Sequence, residues 1–332
     1  MLVFVSTTLL SYYTASFLIS YLSKRLKITG IDCHKKDKPV ITEGLGVGSG
    51  LSFCVSLLLL MIIYKNTGKE YMNYYGICST LLFTLILGFM DDLIDLEWRY
   101  KLVVPAVMMI PTLLLYNDST YVILPLFGLI DLGSLYYIYM ILVGIFSTNC
   151  INILSGINGL EVVQVMILSI FLFFDGVLSH DIFMVRCASC LFFSSLPLYF
   201  KNKYPAKVFV GDSFCYFGGM AISCVCILGH STRTLFFLLG IQICNFVISL
   251  PQLLKIIPCP RHRMPDFDGE KLIASKWNKK NINLTLLNVI LCLVGSMEED
   301  KLCNLIGGLQ FLWCVFVIFV KYSFFVKVVP LI

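Results

Sequence analysis

The chain runs to 332 residues, of which 58% are hydrophobic and only 14% charged, with a net charge of +5. A water-soluble domain carries charge on roughly a quarter of its residues, so this composition excludes a soluble enzyme and points to a chain whose outer surface faces lipid. The 14 cysteines fall mostly inside apolar runs, where a thiol behaves as a small apolar side chain; the Cys187-x-x-Cys190 pair has no second pair or histidine near it, which argues against zinc.

A helix needs about 20 apolar residues to cross a bilayer. In chain order, about ten runs approach that length: 2–22, 44–64, 74–93, 101–116, 134–151, 160–178, 183–200, 213–229, 233–250 and 303–325. The run 284–295 is too short to span and reads as an interfacial or re-entrant helix. The expected fold is an all-α polytopic membrane protein with about ten transmembrane helices and its active site in the cytosolic loops. One integral membrane domain covers 1–332, with 251–283 as a cytosolic substrate-binding loop.

Eighteen of the 25 Lys and Arg residues fall in the odd-numbered loops between these runs, and four lie in or beside the even ones. The positive-inside bias then places the odd loops in the cytosol and the N-terminus outside. No basic segment precedes the first run, so it is expected to stay as a reverse-oriented first span rather than act as a cleaved signal. The positive charge is a topological signal, and no nucleic-acid partner is expected.

Polar residues gather in the odd loops. The first holds Asp32-Cys33-His34-Lys35-Lys36-Asp37-Lys38, and the glycines at 44, 46, 48 and 50 follow it, suited to close helix packing or to a backbone lining a ligand. The third run ends in Gly88-Phe89-Met90-Asp91-Asp92-Leu93-Ile94-Asp95, three carboxylates on one broad helical face. They read either as solvated groups at the membrane edge or as a site for a divalent cation or a proton, balanced by Arg99 and Lys101. The fifth run ends in Asn149-Cys150-Ile151-Asn152 and continues through Gly156, Asn158 and Gly159. Asparagine can simply bind helices together in a membrane, but three of them with two glycines in so short a stretch favour a ligand. Val208-Phe209-Val210-Gly211-Asp212 delivers one more carboxylate just before a new run. In the ninth loop, Pro258-Cys259-Pro260-Arg261-His262-Arg263-Met264-Pro265 sets two guanidiniums and an imidazole on a proline-stiffened segment, a fork suited to a diphosphate; the alternative is a basic patch on anionic lipid. Oxygen ligands for a hard cation beside cations for phosphate suggest phosphoryl chemistry at the membrane surface, on a substrate whose other part is lipid.

These motifs, in this order, resemble the polyprenyl-phosphate N-acetylhexosamine-1-phosphate transferase family, above all its eukaryotic branch. The resemblance rests on residues 88–101, 146–161, 208–220 and 249–265, and it extends from about Asp32 to the last helix. It implies transfer of N-acetylglucosamine-1-phosphate from UDP-N-acetylglucosamine to dolichyl phosphate, the step that begins lipid-linked oligosaccharide synthesis, in the endoplasmic reticulum membrane with the site facing the cytosol. It further implies that Asn152 and Asp212 ligate Mg2+, that Lys101 neutralises phosphate charge, and that Asp91 and Asp92 line the reacting centre. Arg261, His262 and Arg263 would hold the diphosphate and sugar, and Phe209 and Asn158 the uracil; Lys35, Glu43 and Asn149 fall at polar site positions. The chain departs from the eukaryotic pattern at Thr42, Asp95 and Asp268. Two other readings remain: a relative using another UDP-sugar or polyprenyl acceptor, and a transporter or channel with an acidic vestibule, which would need ionisable residues well inside the spans. Whether the chain pairs as a homodimer is open at this stage. Asn117-Asp118-Ser119 is a glycosylation sequon in an even loop, and Asn283-Leu284-Thr285 lies in an odd one, so only the first is expected to be modified.

Overall fold

The computed structural model describes residues 2–65, 70–124, 128–258, 263–275 and 283–325. Its helices follow the apolar runs closely: α1 (Leu2–Leu22), α2 (Gly46–Tyr64), α3 (Glu70–Ile94), α4 (Trp98–Met108), α5 (Ile110–Leu113), α6 (Leu135–Ile153), α7 (Leu160–Leu178), α8 (Ile182–Asn202) and α9 (Gly211–Leu228). After them come α10 (Thr232–Leu238), α11 (Gly240–Leu253), α12 (Leu286–Val294) and α13 (Glu299–Val320), which ends in one turn of π-helix, Lys321–Phe325. Among the described residues, seven helices (α2, α3, α6, α7, α8, α9 and α13) are long and apolar enough to cross a membrane, or eight if the bent α10–α11 pair is one span. The other two runs in the sequence-based count fall on α1 and on the α4–α5 pair.

Both breaks have local causes. Pro111 has no N–H to offer the carbonyl four residues back, and its ring crowds that turn, so the fourth run is split at Met109. The ninth run bends by 61° between α10 and α11. At that bend the Phe237 carbonyl accepts a hydrogen bond of 2.7 Å from the indole N–H of Trp313 on α13.

At the centre stands α9, packed along α3, α6 and α2. Glycine makes these approaches close: a Cβ on Gly219 would lie 1.9 Å from the Ser147 carbonyl oxygen of α6, and one on Gly88 of α3 would lie 2.5 Å from Ser213 Cα. Small residues at such contacts let backbones meet where lipid supplies no hydrophobic drive between helices. Every residue of α9 is buried except Asp212. The central helix thus leaves a single side chain partly exposed, and that side chain is a carboxylate.

Three antiparallel hairpins, which the sequence did not announce, sit in the loops: β1 (Thr29–Ile31) with β2 (Val40–Thr42), β3 (Tyr121–Leu124) with β4 (Gly128–Asp131), and β5 (Asp266–Phe267) with β6 (Leu272–Ile273). Val208 adds a parallel bridge to Thr42, and the Phe209 N–H donates to the Thr42 carbonyl at 2.8 Å. The first and seventh loops are thereby tied to each other, which sets Phe209 and Asp212 relative to Glu43.

Candidate active site

The ends of α3 and α6 and the starts of α4 and α9 meet at one end of the bundle. Lys101, on the first turn of α4, places its ammonium 2.8 Å from Asp91 Oδ2 and 3.9 Å from Asp212 Oδ2. The Asp91 side chain is fully buried, whereas those of Lys101 and Asp212 keep 18% and 26% of their exposure. Asp91 Oδ2 also accepts from the Tyr216 hydroxyl at 2.6 Å, and Oδ1 from the Leu96 N–H at 2.8 Å. Both oxygens of Asp91 are thus engaged, and one of them holds the Lys101 ammonium beside Asp212.

Asp92 faces the other way. Its Oδ1 accepts from the Asp212 N–H at 2.6 Å and its Oδ2 from the Ser213 N–H at 3.2 Å. A carboxylate from α3 therefore satisfies the free N–H groups at the start of α9 and complements that helix's positive end. Gly211 makes room for it: its φ is +75°, and a Cβ there would lie 2.5 Å from Asp92 Oδ2. Asn152, at the end of α6, donates its amide to Asp212 Oδ1. Asn149, one turn earlier, donates to the Lys101 carbonyl at 3.2 Å and so braces the start of α4. The structure thus joins Asp91, Asp92, Lys101, Asn149, Asn152 and Asp212 in one cluster: three carboxylates, one ammonium and two amides.

Glu43 and Phe209 form an adjoining wall, since a Cβ on Gly30 would lie 2.9 Å from both Glu43 Oε2 and the Phe209 ring. Burial pushes the Glu43 carboxyl above its ordinary value. Lys35 and Asn158 make a second group, joined through Glu299 at the start of α13. Glu299 Oε2 lies 2.5 Å from the Lys35 ammonium, and Oε1 accepts the Asn158 N–H at 2.6 Å. Asn158 Oδ1 accepts from the Ala206 N–H at 3.0 Å, so the fifth and seventh loops are also tied. Beside Lys35 opens a cavity of about 330 Å3, with His34, Tyr204 and Phe267 in its wall.

Arg263 lies in the segment that docks on the fifth loop, where Met264 Cγ comes within 3.2 Å of the Cβ position of Gly156. Its basic neighbours Arg261 and His262 lie outside the described residues. The departures at Asp95 and Asp268 have local explanations. Asp95 has a φ of +49°, which Asn and Asp tolerate best among residues with a side chain. Asp268 Oδ1 accepts from the N–H groups of Glu270 and Lys271 in the β5–β6 turn, at 2.9 and 2.8 Å. Sequence reasoning missed Tyr216 and Glu299. The first was findable, since it lies four residues after Asp212 on the same helical face; the second is one carboxylate within the run Glu298-Glu299-Asp300, and nothing local marks it.

A family profile described as glycosyl transferase family 4 matches residues 74–230, the stretch that carries both the acidic end of α3 and Asp212. The UDP-N-acetylglucosamine–dolichyl-phosphate N-acetylglucosaminephosphotransferase of Dictyostelium discoideum is 33% identical over 86% of this chain and 79% of its own length. The protein of the same name from Saccharomyces cerevisiae is 33% identical over 90% and 86%. The chain belongs to this N-acetylglucosaminephosphotransferase family. A more distant similarity, 25% identity over 74% of this chain, links the family to the phospho-N-acetylmuramoyl-pentapeptide-transferase of Acetivibrio thermocellus. All six clustered residues lie within the matched stretch, while Lys35, Glu43 and Arg263 lie outside it.

Proposed function

We propose that this chain transfers N-acetylglucosamine-1-phosphate from UDP-N-acetylglucosamine to dolichyl phosphate, releasing UMP and forming N-acetylglucosaminyl-diphosphodolichol, the first step of lipid-linked oligosaccharide synthesis for N-glycosylation. One observation carries the chemistry: the partly exposed pair of Lys101 and Asp212, with Asn152 on Asp212, stands at one end of a membrane bundle whose relatives bear that name. A lipid phosphate at the bilayer edge and a soluble nucleotide-sugar can both reach such a position.

In this reading an oxygen of the lipid phosphate attacks the β-phosphorus of the donor. The bond from that phosphorus to the bridging oxygen breaks, and its electron pair leaves with UMP. The attacking phosphate is already largely ionised near neutrality, so the residues serve mainly to position and to neutralise charge. Lys101, held by Asp91, faces the charge that develops on the leaving phosphate. Asp92 keeps the start of α9, and with it Asp212, in register. Phe209 offers its ring face to the uracil beside Glu43, and Asn158 uses its remaining amide hydrogens there. Arg263, with Arg261 and His262, binds the diphosphate and sugar.

Asp212 and Asn152 would hold Mg2+ through a carboxylate oxygen and the amide oxygen; as they stand the Asn152 N–H donates to Asp212 Oδ1, so the amide would turn over to ligate. Mg2+ commonly takes only one or two protein ligands and completes its shell with water and substrate phosphates. When bound, Mg2+ would neutralise the diphosphate.

The site end is assigned to the cytosolic face of the endoplasmic reticulum membrane, with the sequon at Asn117 on the lumenal side. Asn117 is exposed, whereas Asn283 is buried and bonded to the backbone. Purified chain supplied with dolichyl phosphate, Mg2+ and a panel of UDP-sugars should yield a diphospholipid product from the N-acetylglucosamine donor in preference to the others. A preference for another sugar, or for a shorter prokaryotic-type lipid, would move the assignment to a related transferase. Glycan found at Asn283 rather than Asn117 would reverse the orientation.

A further inference from the structure

Along α11 the residues Gln242, Asn245, Ser249 and Gln252 recur at helical spacing, and all four are fully buried. In a membrane helix such a stripe commonly holds another helix. Here most of its bonds go instead to backbone in loops and at helix ends. Asn245 donates to the Ile153 carbonyl at the end of α6, 3.0 Å, and accepts the Leu286 N–H that opens α12, 2.9 Å. Ser249 donates to the Leu284 carbonyl at 2.7 Å. Gln252 donates to the Pro258 carbonyl at 3.1 Å and accepts the Leu284 N–H at 3.0 Å. From the far side of the loop, Asn283 donates to the Met264 carbonyl at 2.9 Å, and its own carbonyl accepts from Asn288 at 3.0 Å.

Pro258 and Met264 flank the residues that include Arg261, His262 and Arg263. One amide, Gln252, grips the chain just before them; another, Asn283, grips it just after; and Leu284, next to Asn283, is bonded to Gln252. We propose that Gln252 and Asn283 form an amide clamp that fixes the two feet of the basic segment, and that they are positioning residues for donor recognition. Asn245 completes the frame, because it ties the same loop to the end of α6 that carries Asn152. A buried amide that loses its partners cannot turn to water, so each bond at a loop foot is costly to break. The inference rests on the reading of Arg261, His262 and Arg263 as donor ligands, but the clamp itself is testable without it.

The test uses the full chain in detergent and the variants Gln252→Met, which keeps length and burial but removes both bonds, and Asn283→Ser. With UDP-N-acetylglucosamine and dolichyl phosphate, each should raise the KM for the donor about tenfold, equivalent to about 1.4 kcal/mol. The kcat should stay within about threefold, a change worth well under that energy, and the acceptor KM should not move. A donor KM equal to wild type, or a fall in kcat with both KM values shifted together, overturns the proposal. Should Gln252→Met fail to fold, Asn283→Ser applies the same test from the other foot. Trypsin supplies the independent readout. Cleavage after Arg263 should be faster in the variants than in wild type under conditions where the bundle stays intact, and unchanged cleavage overturns the clamp. If the wild type released no UMP, the functional reading would fall, while the cleavage comparison would still decide the clamp.

Discussion

The two ends of the bundle each bury an ion pair, and they are built on opposite plans. At the end away from the site, Asp175 of α7 is fully buried and meets Lys321 at 2.6 Å, with the Tyr322 hydroxyl at 2.7 Å on the same oxygen and the Ser231 hydroxyl at 2.8 Å on the other. Lys321 also donates to Thr234 at 2.8 Å. One charge answers one charge, each carboxylate oxygen has a donor, and the effect is to fasten α13 to α7 and α10. At the site end Lys101 meets two carboxylates, Asp91 and Asp212, with Asp92 close by on the start of α9, and Lys101 and Asp212 stay partly open to the exterior. Carboxylates crowded in a partly buried place are costly to ionise together. The contrast separates a latch, complete in itself, from a centre that a metal and phosphates would complete.

Replacing the two lysines breaks the comparison most sharply. Lys101→Met should lower kcat by roughly 10²–10³-fold, the usual loss when one donor facing developing charge is removed, as measured by UMP release. Lys321→Met should instead cost about 3–5 kcal/mol of stability, because Asp175 is left buried and unpaired. Thermal unfolding in detergent checks this, with the kcat of the folded fraction unchanged. The double variant Asp175→Leu/Lys321→Met should recover most of that loss, since apolar replacement of a whole buried pair is often neutral. If Lys321→Met abolished turnover in folded protein, the latch reading would fail.

A smaller effect is expected at Gly211, where an added methyl meets both the Asp92 carboxylate and an unfavourable φ. Gly211→Ala should destabilise by about 1–3 kcal/mol and lower activity as Asp212 shifts. The smallest concerns Glu43. Its carboxyl titrates above the usual value when folded, so the native state holds its proton more tightly than the unfolded chain. Stability should therefore fall as pH rises from the ordinary glutamate range through the raised value, then level off. Glu43→Gln should remove that slope, and a variant that retained it would place its origin elsewhere.

Much of this was written in the sequence. The runs 2–22 and 160–178 coincide with α1 and α7 end for end, because lipid demands long apolar helices and charge marks their ends. Asp91, Lys101, Asn152 and Asp212 stood out as polar residues at the ends of such runs, and the fold brings them together. Their division of labour was not legible. Asp91 and Asp92 are neighbours in sequence, yet one anchors an ammonium and the other caps a helix from a different part of the chain. That difference depends on how α9 packs against α3, a long-range contact set by Gly88 and Gly211. The Asp175–Lys321 pair escaped notice for a similar reason: each residue looks like an isolated charge near the end of an apolar run, and 146 positions separate them. The hairpins were missed because their strands have only two to four residues, too short for a period to register.

The central claim is that the partly exposed carboxylate of α9 is the chemical centre of a phosphosugar transfer. The direct measurement is UMP release from UDP-N-acetylglucosamine with dolichyl phosphate and Mg2+, comparing wild type with Asp212→Asn at matched thermal stability. The account predicts UMP release from the wild type at a rate set by both substrates, and loss of nearly all of it in Asp212→Asn. Wild-type turnover that survived the substitution would contradict it.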